Sequence, residues 1–373
     1  MTVEAGSTDT KTTSAEGAVK RPGGGLLGST FLRHAGLMLL AYVGILLLLQ
    51  VIDPFRGSQL GEMAYFIPAV AGLTVLTGLN GQISLGHGAL MAVGAYTTAL
   101  MLDEREGPPY LLVVLLSVLT TVALGALVGA AAARLHGPYL AGATLALAVG
   151  LPGLALTFEE TLGGEQGLQV RPPRASDGLE SFVEDTIGWE LRTQTYLAYI
   201  GWALALLVLF LLSNLVVSRY GRTWRAVRDD EVAAELAGIN LGRTRILAFV
   251  VSAACAGVAG SLIAIVTRLT APTTFTLVLS ISLLVGIVIG GLGSLVGAIL
   301  GSALLVFLRP EVTDLGRGAG LTDAQSANIA PLVYGIVLIV VMLLAPRGVV
   351  GSIRMAYLNN KAKQQIKAAQ ATR

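Results

Sequence analysis

Apolar residues occur along this chain in long runs, separated by short stretches that carry charge, glycine or proline. A helix of about 20 apolar residues, rising 1.5 Å per residue, covers the ~30 Å hydrocarbon core of a bilayer. The pattern therefore predicts an all-α polytopic membrane protein with about ten transmembrane helices. The predicted spans are residues 35–52, 63–79, 83–102, 110–133, 138–158, 196–217, 246–267, 277–290, 295–308 and 329–345.

Composition supports the membrane assignment. Hydrophobic residues make up 54% of the chain and charged residues 13%, whereas about 25% of a soluble domain is charged. The 46 glycines favour close helix packing in lipid. The eighth and ninth runs are short, so 277–308 is either two crossings or one interrupted, re-entrant element.

The distribution of charge predicts the orientation. Arginines are concentrated between the sixth and seventh spans, whereas acidic residues dominate the loop between the fifth and sixth. Because basic residues are retained inside the cell, ten spans with both termini cytoplasmic fit these loops. The predicted regions are a disordered cytoplasmic tail at 1–34, a permease domain at 35–346 with an extracytoplasmic loop at 158–193 and a cytoplasmic loop at 218–245, and a basic cytoplasmic tail at 347–373.

The absence of charged residues from the predicted spans, and of certain motifs from the chain, argues against several classes of protein. No predicted span contains Asp, Glu, Lys or Arg, whereas ion-coupled carriers usually hold an ionisable group in the membrane. The chain has no G-x-x-x-x-G-K-[ST] or H-E-x-x-H motif, and its single cysteine and three histidines are far apart. We therefore expect no ATP hydrolysis by this chain, no cofactor, no metal and no nucleic-acid partner. A channel is not excluded.

Residues 78–96, GLNGQISLGHGALMAVGAY, interrupt the apolar pattern with a turn dipeptide at Asn80 and Gly81. One interpretation is a broken helix that turns polar groups toward a translocation path, and the other is a cytoplasmic hairpin with glycines that permit close packing. Ser84 and His87 lie three residues apart on one predicted helix and so also suit a hydrolytic dyad, although a packed polar pair is favoured. The candidate pathway residues are Asn80, Gln82, Ser84 and His87, with Tyr139 and Thr144 from the fifth span.

Glycines at two places predict close contacts between helices. Gly86 and Gly88 lie in the segment just described, and Gly293, Gly297 and Gly301 recur every four residues in GGLGSLVGAILG. Such spacing lets helix backbones approach one another. For Gly293, Gly297 and Gly301, helix packing is favoured over contact with a substrate.

The loop at 218–245 predicts a short amphipathic helix. Asp229 or Asp230 suits its N-terminal cap, and Gly238 suits its left-handed end. The helix either docks in a groove of a partner protein or lies on the membrane surface, anchored by its arginines and Trp224. From the residue types alone, the position on the membrane surface is favoured over docking in a partner protein. The apolar face consists of Val232, Leu236 and Ile239.

Six separate blocks resemble a known family. They are residues 76–100, 136–148, 161–168, 218–240, 247–262 and 290–305. Together they resemble, over about residues 60 to 350, the membrane permease subunits of branched-chain amino-acid ABC importers of the LivM and LivH type. The resemblance implies import of branched-chain amino acids or similar small polar solutes. A permease for urea or short amides, and an autonomous channel or facilitator, are the alternatives.

The resemblance also implies the partners and the place of the chain. It implies separate ABC ATP-binding subunits, a sister permease and an extracytoplasmic solute-binding protein, around a multi-pass subunit of the plasma or inner membrane that is not itself an enzyme. The resemblance says nothing about the N-terminal tail or about the acidic insertion at 170–190. The residues that match the family's ATPase-coupling segment are Arg228, Asp229, Asp230, Glu231, Ala234, Glu235, Leu236, Gly238 and Ile239.

Overall fold

The computed structural model describes residues 30–102, 107–135, 138–187 and 192–322, and scattered positions from 325 to 361. The tenth predicted span, at 329–345, therefore lies outside the continuously described residues, as do most of the two predicted tails. The described chain is almost entirely helical.

The helices follow the apolar runs in chain order. They are α1 (Thr30–Val51), α2 (Pro54–Leu73), α3 (His87–Met101), α4 (Tyr110–Ala132), α5 (Pro138–Thr157), α6 (Glu159–Leu162), α7 (Asp177–Ile187), α8 (Thr193–Val217), α9 (Arg219–Asp229), α10 (Glu231–Leu236), α11 (Leu241–Thr267), α12 (Leu277–Gly290) and α13 (Leu295–Gly318). Two short strands, β1 (Leu168–Gln169) and β2 (Leu269–Thr270), pair antiparallel.

An all-α polytopic membrane protein is confirmed, whereas the count of ten spans stays a prediction. Within the described residues, seven helices are long and apolar enough to cross a bilayer. The 14-residue α12 is about 21 Å long, shorter than the ~30 Å hydrocarbon core. It packs against the longer α13, so that 277–318 forms a helical hairpin.

The helices extend beyond the apolar runs and include charged residues. Arg56 and Glu62 lie in α2 and Glu311 lies in α13, where Arg56 Nη2 and Glu311 Oε1 are 3.0 Å apart. The predicted runs stop at such charges, but helical hydrogen bonding continues through them. The inference that spans lack ionisable groups is therefore corrected for α2, in which Glu62 lies about 12 Å beyond the first residue.

Helix α11 occupies the centre of the bundle. It packs against α2, α3 and α4, and 78% of its most apolar window is buried, against 6% for the peripheral α1. Small residues permit this packing: Gly257 lies against the α4 backbone at Ser117, and Gly260 lies against the α3 backbone at Met91. Because lipid tails are as apolar as leucine, this close contact supplies much of the attraction between helices.

The strand pair joins two distant parts of the chain. β1 belongs to the loop after α5, and β2 directly follows α11. The loop after α5 and the C-terminal end of α11 therefore lie at the same end of the bundle. The α9–α10 loop is at the opposite end, because it joins the other ends of α8 and α11.

We predict that Gly260→Ala destabilises the protein. The added Cβ would lie 2.8 Å from the Ala95 nitrogen and closer still to the Met91 carbonyl oxygen, and overpacking of this kind costs about 1–3 kcal/mol. The thermal midpoint of the detergent-solubilised protein should fall. Gly44→Ala in α1 is the control, because no atom lies within 4 Å of its added Cβ. Equal midpoints for the two variants would contradict this account of the core.

Candidate functional site

The backbone between α2 and α3 is broken. After Leu73 the chain makes a π-helical turn, Thr74–Leu79, and then leaves helical geometry until His87. Gly81 has a φ of +79°, which is the left-handed conformation that glycine adopts at low cost. π-helical turns are rare and frequent at functional sites, and irregular backbone within a membrane is tolerated only where protein covers it or a cavity adjoins it. The backbone between α2 and α3 is therefore irregular, as both interpretations expected, and the choice between a broken helix and a cytoplasmic hairpin stays a prediction.

Polar side chains of this segment are buried without protein partners. Within the described structure, neither amide atom of Asn80 or Gln82 has a hydrogen-bond partner, and neither does His87 Nε2. All three residues are almost fully buried. A buried polar group without a partner costs about 1–3 kcal/mol. Such groups are rare in native structures, so their occurrence together in one segment marks it as a candidate site.

Thr144 joins α5 to the broken segment. Its Oγ1 accepts a hydrogen bond of 3.0 Å from the Leu85 amide and lies 3.1 Å from the Leu140 carbonyl oxygen. Tyr139 is 77% exposed, and no described hydrogen bond joins it to the segment. The structure thus brings together Asn80, Gln82, Ser84, His87 and Thr144, while Tyr139 lies apart.

Ser84 and His87 do not form the pair that their spacing suggested. The expectation that they share a helix is wrong, because α3 begins at His87 and Ser84 lies in the irregular stretch before it. Ser84 Oγ accepts a bond of 3.3 Å from the Gly86 amide, and His87 Nδ1 lies 3.5 Å from Ser252 Oγ in α11. The described contacts therefore pair His87 with Ser252 and not with Ser84.

Gly86 and Gly88 hold the break against neighbouring helices. A Cβ on Gly86 would lie 2.7 Å from the Thr144 carbonyl oxygen, and one on Gly88 would lie 2.8 Å from Ser280 Oγ in α12. The Gly88 amide also donates a hydrogen bond of 3.0 Å to Ser280 Oγ. The missing side chains thus let α5 and α12 approach the segment.

The second set of glycines forms the α12–α13 hairpin and connects it to the break. Gly297 and Gly301 lie against Gly290 and Gly286 of α12. In the turn between the helices, Gly293 has a φ of +81°, and its Cα would lie 2.9 Å from a Cβ on Gly78. The two glycine-rich turns of the sequence are therefore in direct contact.

The loop after α8 forms two consecutive helices, α9 and α10, where the sequence predicted one. Asp230, rather than Asp229, caps α10 by accepting a bond of 3.0 Å from the Ala233 amide. At the other end, the Gly238 amide donates to the Glu235 carbonyl at 2.9 Å, and the Ile239 amide donates to the Ala234 carbonyl at 3.0 Å. Gly238 is left-handed, with a φ of +84°. These bonds form a Schellman motif, which satisfies the last carbonyls of the helix.

Helix α10 presents apolar side chains outward while charged residues hold it in place. Leu236 is 86% exposed, Val232 is also exposed, and Ala234 is buried on the inner side. Glu231 Oε1 lies 2.7 Å from Arg245 Nη2, and the Arg245 side chain is 5% exposed. An ion pair between a buried guanidinium group and a half-exposed carboxylate thus links α10 to the N-terminal part of α11.

Arg228 bonds this loop to the broken segment. Its Nη1 donates a hydrogen bond of 2.7 Å to the Gly78 carbonyl oxygen, and its Nη2 lies 2.7 Å from Asp229 Oδ1. Its Cγ would lie 3.0 Å from a Cβ on Gly81. Sequence reasoning selected Arg228 as part of the loop but missed this contact, because nothing in the local pattern relates it to Gly78.

A cavity of about 420 Å³ lies between the broken segment, α5 and α10. Its lining includes Gln82 from the segment, Leu140 from α5, and the Glu231–Arg245 ion pair. Gln82 therefore borders this cavity on the side of α10, although both atoms of its amide group are buried. Within the described residues, no three His, Cys, Asp or Glu side chains lie close enough to hold a metal ion.

An apolar bundle in which an irregular segment buries uncharged polar groups is typical of membrane transport proteins. Comparison with known proteins agrees. Residues 60–344 match the sequence model of the family described as "Branched-chain amino acid transport system / permease component". The chain therefore belongs to this family of permease components.

Individual relatives give the same result. The chain is 33% identical to the branched-chain amino acid permease protein LivM of Salmonella typhimurium, over 81% of this chain and 73% of that protein. It is 32% identical to LivM of Escherichia coli over the same shares. It is 27% identical to BraD of Pseudomonas aeruginosa, over 75% of this chain and 89% of that protein. No solved structure matches the chain.

We predict that Thr144→Val lowers stability, because valine keeps the shape of threonine but removes the acceptor of the Leu85 amide. A buried amide left without an acceptor costs about 1–3 kcal/mol. Thr144→Ser retains the hydroxyl and is the matched control. The thermal midpoint in detergent should fall for the valine variant and remain near that of the wild type for the serine variant. A valine variant as stable as the wild type would show that the bond does not support the break.

Proposed function

We propose that this chain forms one half of the translocation path of an ATP-driven importer for branched-chain amino acids or chemically similar solutes. The Arg228 contact carries this proposal, because it bonds the α9–α10 loop to the broken segment at Gly78. The relatives are named as components of branched-chain amino acid transport systems, which supports this class of solute.

We place both termini and the α9–α10 loop in the cytoplasm, and the β1–β2 end outside. Arginines in and beside the loop support this orientation, because basic residues are retained inside. The loop at 158–193 holds an excess of acidic residues. The pairing of β1 with β2 is consistent with this orientation, because the loop after α5 and the end of α11 are both assigned to the outside and lie side by side.

The α10 helix is proposed to dock on an ATP-binding subunit. Its apolar residues Val232 and Leu236 point away from the bundle, as a helix needs to fill a groove in a partner. The competing interpretation, a helix lying on lipid, relied on Trp224 as an anchor. Trp224 is buried instead, and its Nε1 donates to the Thr244 carbonyl at 3.2 Å. The structure therefore favours a protein partner over the membrane surface.

The polar groups of the broken segment are proposed to contact the solute. Asn80, Gln82 and His87 have buried atoms without protein partners, and Gln82 also borders the cavity beside α10. Amide and imidazole groups hold a zwitterion by hydrogen bonds without the strong attraction of a fixed charge, which permits release. A sister permease would supply the other half of the path. The external acidic loop would meet a solute-binding protein.

Coupling is proposed to pass through two charged residues. When the ATP-binding subunits close, they displace α10, and the Glu231–Arg245 ion pair transmits this movement to α11. Arg228 transmits it to the turn at Gly78, where the glycine of the α12–α13 turn is in contact. Rigid-body movement of helices at such a contact is a known way in which proteins change between two conformations.

The test of the proposal is assembly and ATP-dependent uptake after Leu236→Asp. A carboxylate in the centre of an apolar docking face leaves a charge buried without a partner, which typically costs several kcal/mol. We expect co-purification with the ATP-binding subunits and uptake into proteoliposomes to be lost, with membrane insertion retained. Leu236→Met, which keeps the face apolar, is the control. Unchanged co-purification, or downhill uptake by the isolated chain alone, would contradict the proposal and favour a facilitator.

We also predict that Arg228→Gln uncouples the assembled transporter. The variant loses the charged hydrogen bond to the Gly78 carbonyl, and such bonds contribute about 1.5–3 kcal/mol. Uptake should fall roughly tenfold or more while the complex still assembles and hydrolyses ATP. Arg219→Gln in the same helix is the control, because Arg219 stacks on the exposed ring of Tyr220. An equal loss of uptake in both variants would show that the contact between Arg228 and Gly78 has no special role.

A further inference from the structure

A short segment crosses the end of the bundle that lies opposite α9 and α10. Residues 163–171, here called the strap, follow α6 and include β1. The Val170 amide donates a hydrogen bond of 3.0 Å to the Arg268 carbonyl oxygen, and the Arg171 amide donates one of 3.3 Å to the Leu102 carbonyl oxygen. Together with the pairing of β1 and β2, these bonds attach the strap to the C-terminal ends of α3 and α11.

The backbone of the strap suits a segment that changes conformation. Gly163, Gly164 and Gly167 have φ values of +77°, +58° and +71°, which glycine adopts at low cost and other residues rarely adopt. A Cβ on Gly167 would lie 2.7 Å from the Ala271 Cα, so the strap lies directly against the chain at β2. Each strand of the pair is two residues long. So few hydrogen bonds can open locally while the bundle stays folded.

The end of α11 is held in an uncommon conformation. Arg268 has a φ of +58° and is the only residue other than glycine with a positive φ in the part of the chain that the structure describes. The left-handed conformation is strained for a residue with a side chain, and such strain occurs at switch regions where the surrounding structure imposes it. The carbonyl oxygen of this same residue accepts the bond from Val170. Release of the strap would therefore let the end of α11 relax.

Two hydroxyl groups near the strap are buried without a partner. Among the described residues, neither Tyr96 Oη nor Thr270 Oγ1 has a hydrogen-bond partner, although Tyr96 is 8% exposed and Thr270 is fully buried. Thr270 belongs to β2, and Tyr96 belongs to α3, which packs against both strands. The burial of a polar group without a partner is unfavourable. The attached state of the strap is thus less stable than it would be with these hydroxyl groups bonded.

Helix α11 connects the strap to α10 at the other end of the bundle. It is one continuous helix of 27 residues, about 40 Å long. Its N-terminal part holds Arg245, which pairs with Glu231 of α10, and Arg268 at its other end holds the strap. Rigid helices can carry coupling between distant sites. A displacement of α10 therefore reaches the strap through a single element.

We propose that the strap is an outer gate of the translocation path. It is attached to β2 in this structure, and it separates from β2 when the path opens outward. The proposal rests on the proposed function, which places the strap outside the cell and α10 against the ATP-binding subunits. It extends that function, because it names the element that closes the outer end and the helix that moves it.

The gate is tested by locking the strap with a disulfide. Gln169 and Leu269 are exposed and lie directly opposite each other in the strand pair. Residues so placed have Cα atoms about 4.5–5.5 Å apart, within the range of a disulfide. The variant carries Gln169→Cys and Leu269→Cys in a Cys255→Ala background, so that no other thiol is present. Oxidation should abolish ATP-dependent uptake of L-leucine by the assembled transporter in proteoliposomes, and dithiothreitol should restore it.

A strap with a purely structural role gives a different result. The disulfide preserves the attached conformation, so it would then leave uptake unchanged. Oxidation of each single-cysteine variant controls for effects of the oxidant, because neither variant can form the lock. Equal uptake by the oxidised and reduced forms of the double variant would overturn the proposal.

A second measurement reports opening of the strap without transport. Thr270→Cys places a thiol at a buried position beside the strap, whereas the native Cys255 is buried about 20 Å along α11 from Arg268. Because opening is an equilibrium, the strap should open at times in the full chain in nanodiscs. A membrane-impermeant maleimide should therefore label position 270 and leave Cys255 unlabelled, as read by mass spectrometry of the two peptides. Labelling at position 270 as slow as that of Cys255 would also overturn the gate.

The failure of the gate and the failure of the proposed function are distinguishable. If the wild-type transporter takes up leucine with ATP and the oxidised variant does so equally, the gate is wrong and the permease function stands. If the wild type shows no ATP-dependent uptake, the proposed function is wrong, whereas the labelling of Thr270→Cys still decides whether the strap opens.

Discussion

The break between α2 and α3 exists only because the protein provides hydrogen-bond partners for its backbone. In lipid no water replaces a missing bond, so every irregular turn must be satisfied within the chain. The Leu85 amide bonds to Thr144, the Gly88 amide bonds to Ser280, and the Gly78 carbonyl bonds to Arg228. Three different parts of the chain thus stabilise one interruption. The main chain of the break is supported, whereas several of its side chains keep atoms without protein partners.

This difference between backbone and side chains relates the fold to transport. A supported backbone fixes the position of the polar groups, and in the proposed function the side chains without partners form hydrogen bonds with a passing solute. Because the Gly78 carbonyl is held by Arg228 from the α9–α10 loop, the geometry of the break depends on the position of that loop. The guanidinium group of Arg228 therefore connects the α9–α10 loop at the surface to the segment that holds the buried polar groups.

The sequence predicted what depends on local pattern and missed what depends on distant contacts. Apolar runs located nine helices, and the Asn80–Gly81 dipeptide located the break. The end of an apolar run is not the end of a helix, so the predicted span began at residue 63 and left out Glu62, although Glu62 belongs to α2. The Ser84–His87 spacing suggested a shared helix because nothing local shows that α3 begins at His87. The Gly78–Gly293 and Gly78–Arg228 contacts join residues far apart in sequence, and a single sequence carries no signal for them.

The shortness of α12 has a consequence for the surrounding lipid. A helix of 14 residues leaves about 9 Å of an average hydrocarbon slab uncovered. Either the membrane becomes thinner beside this hairpin, or neighbouring subunits screen its ends from the acyl chains. The energy of inserting the protein thus depends on how long those acyl chains are. Lipid chain length thus becomes part of what holds the hairpin in place.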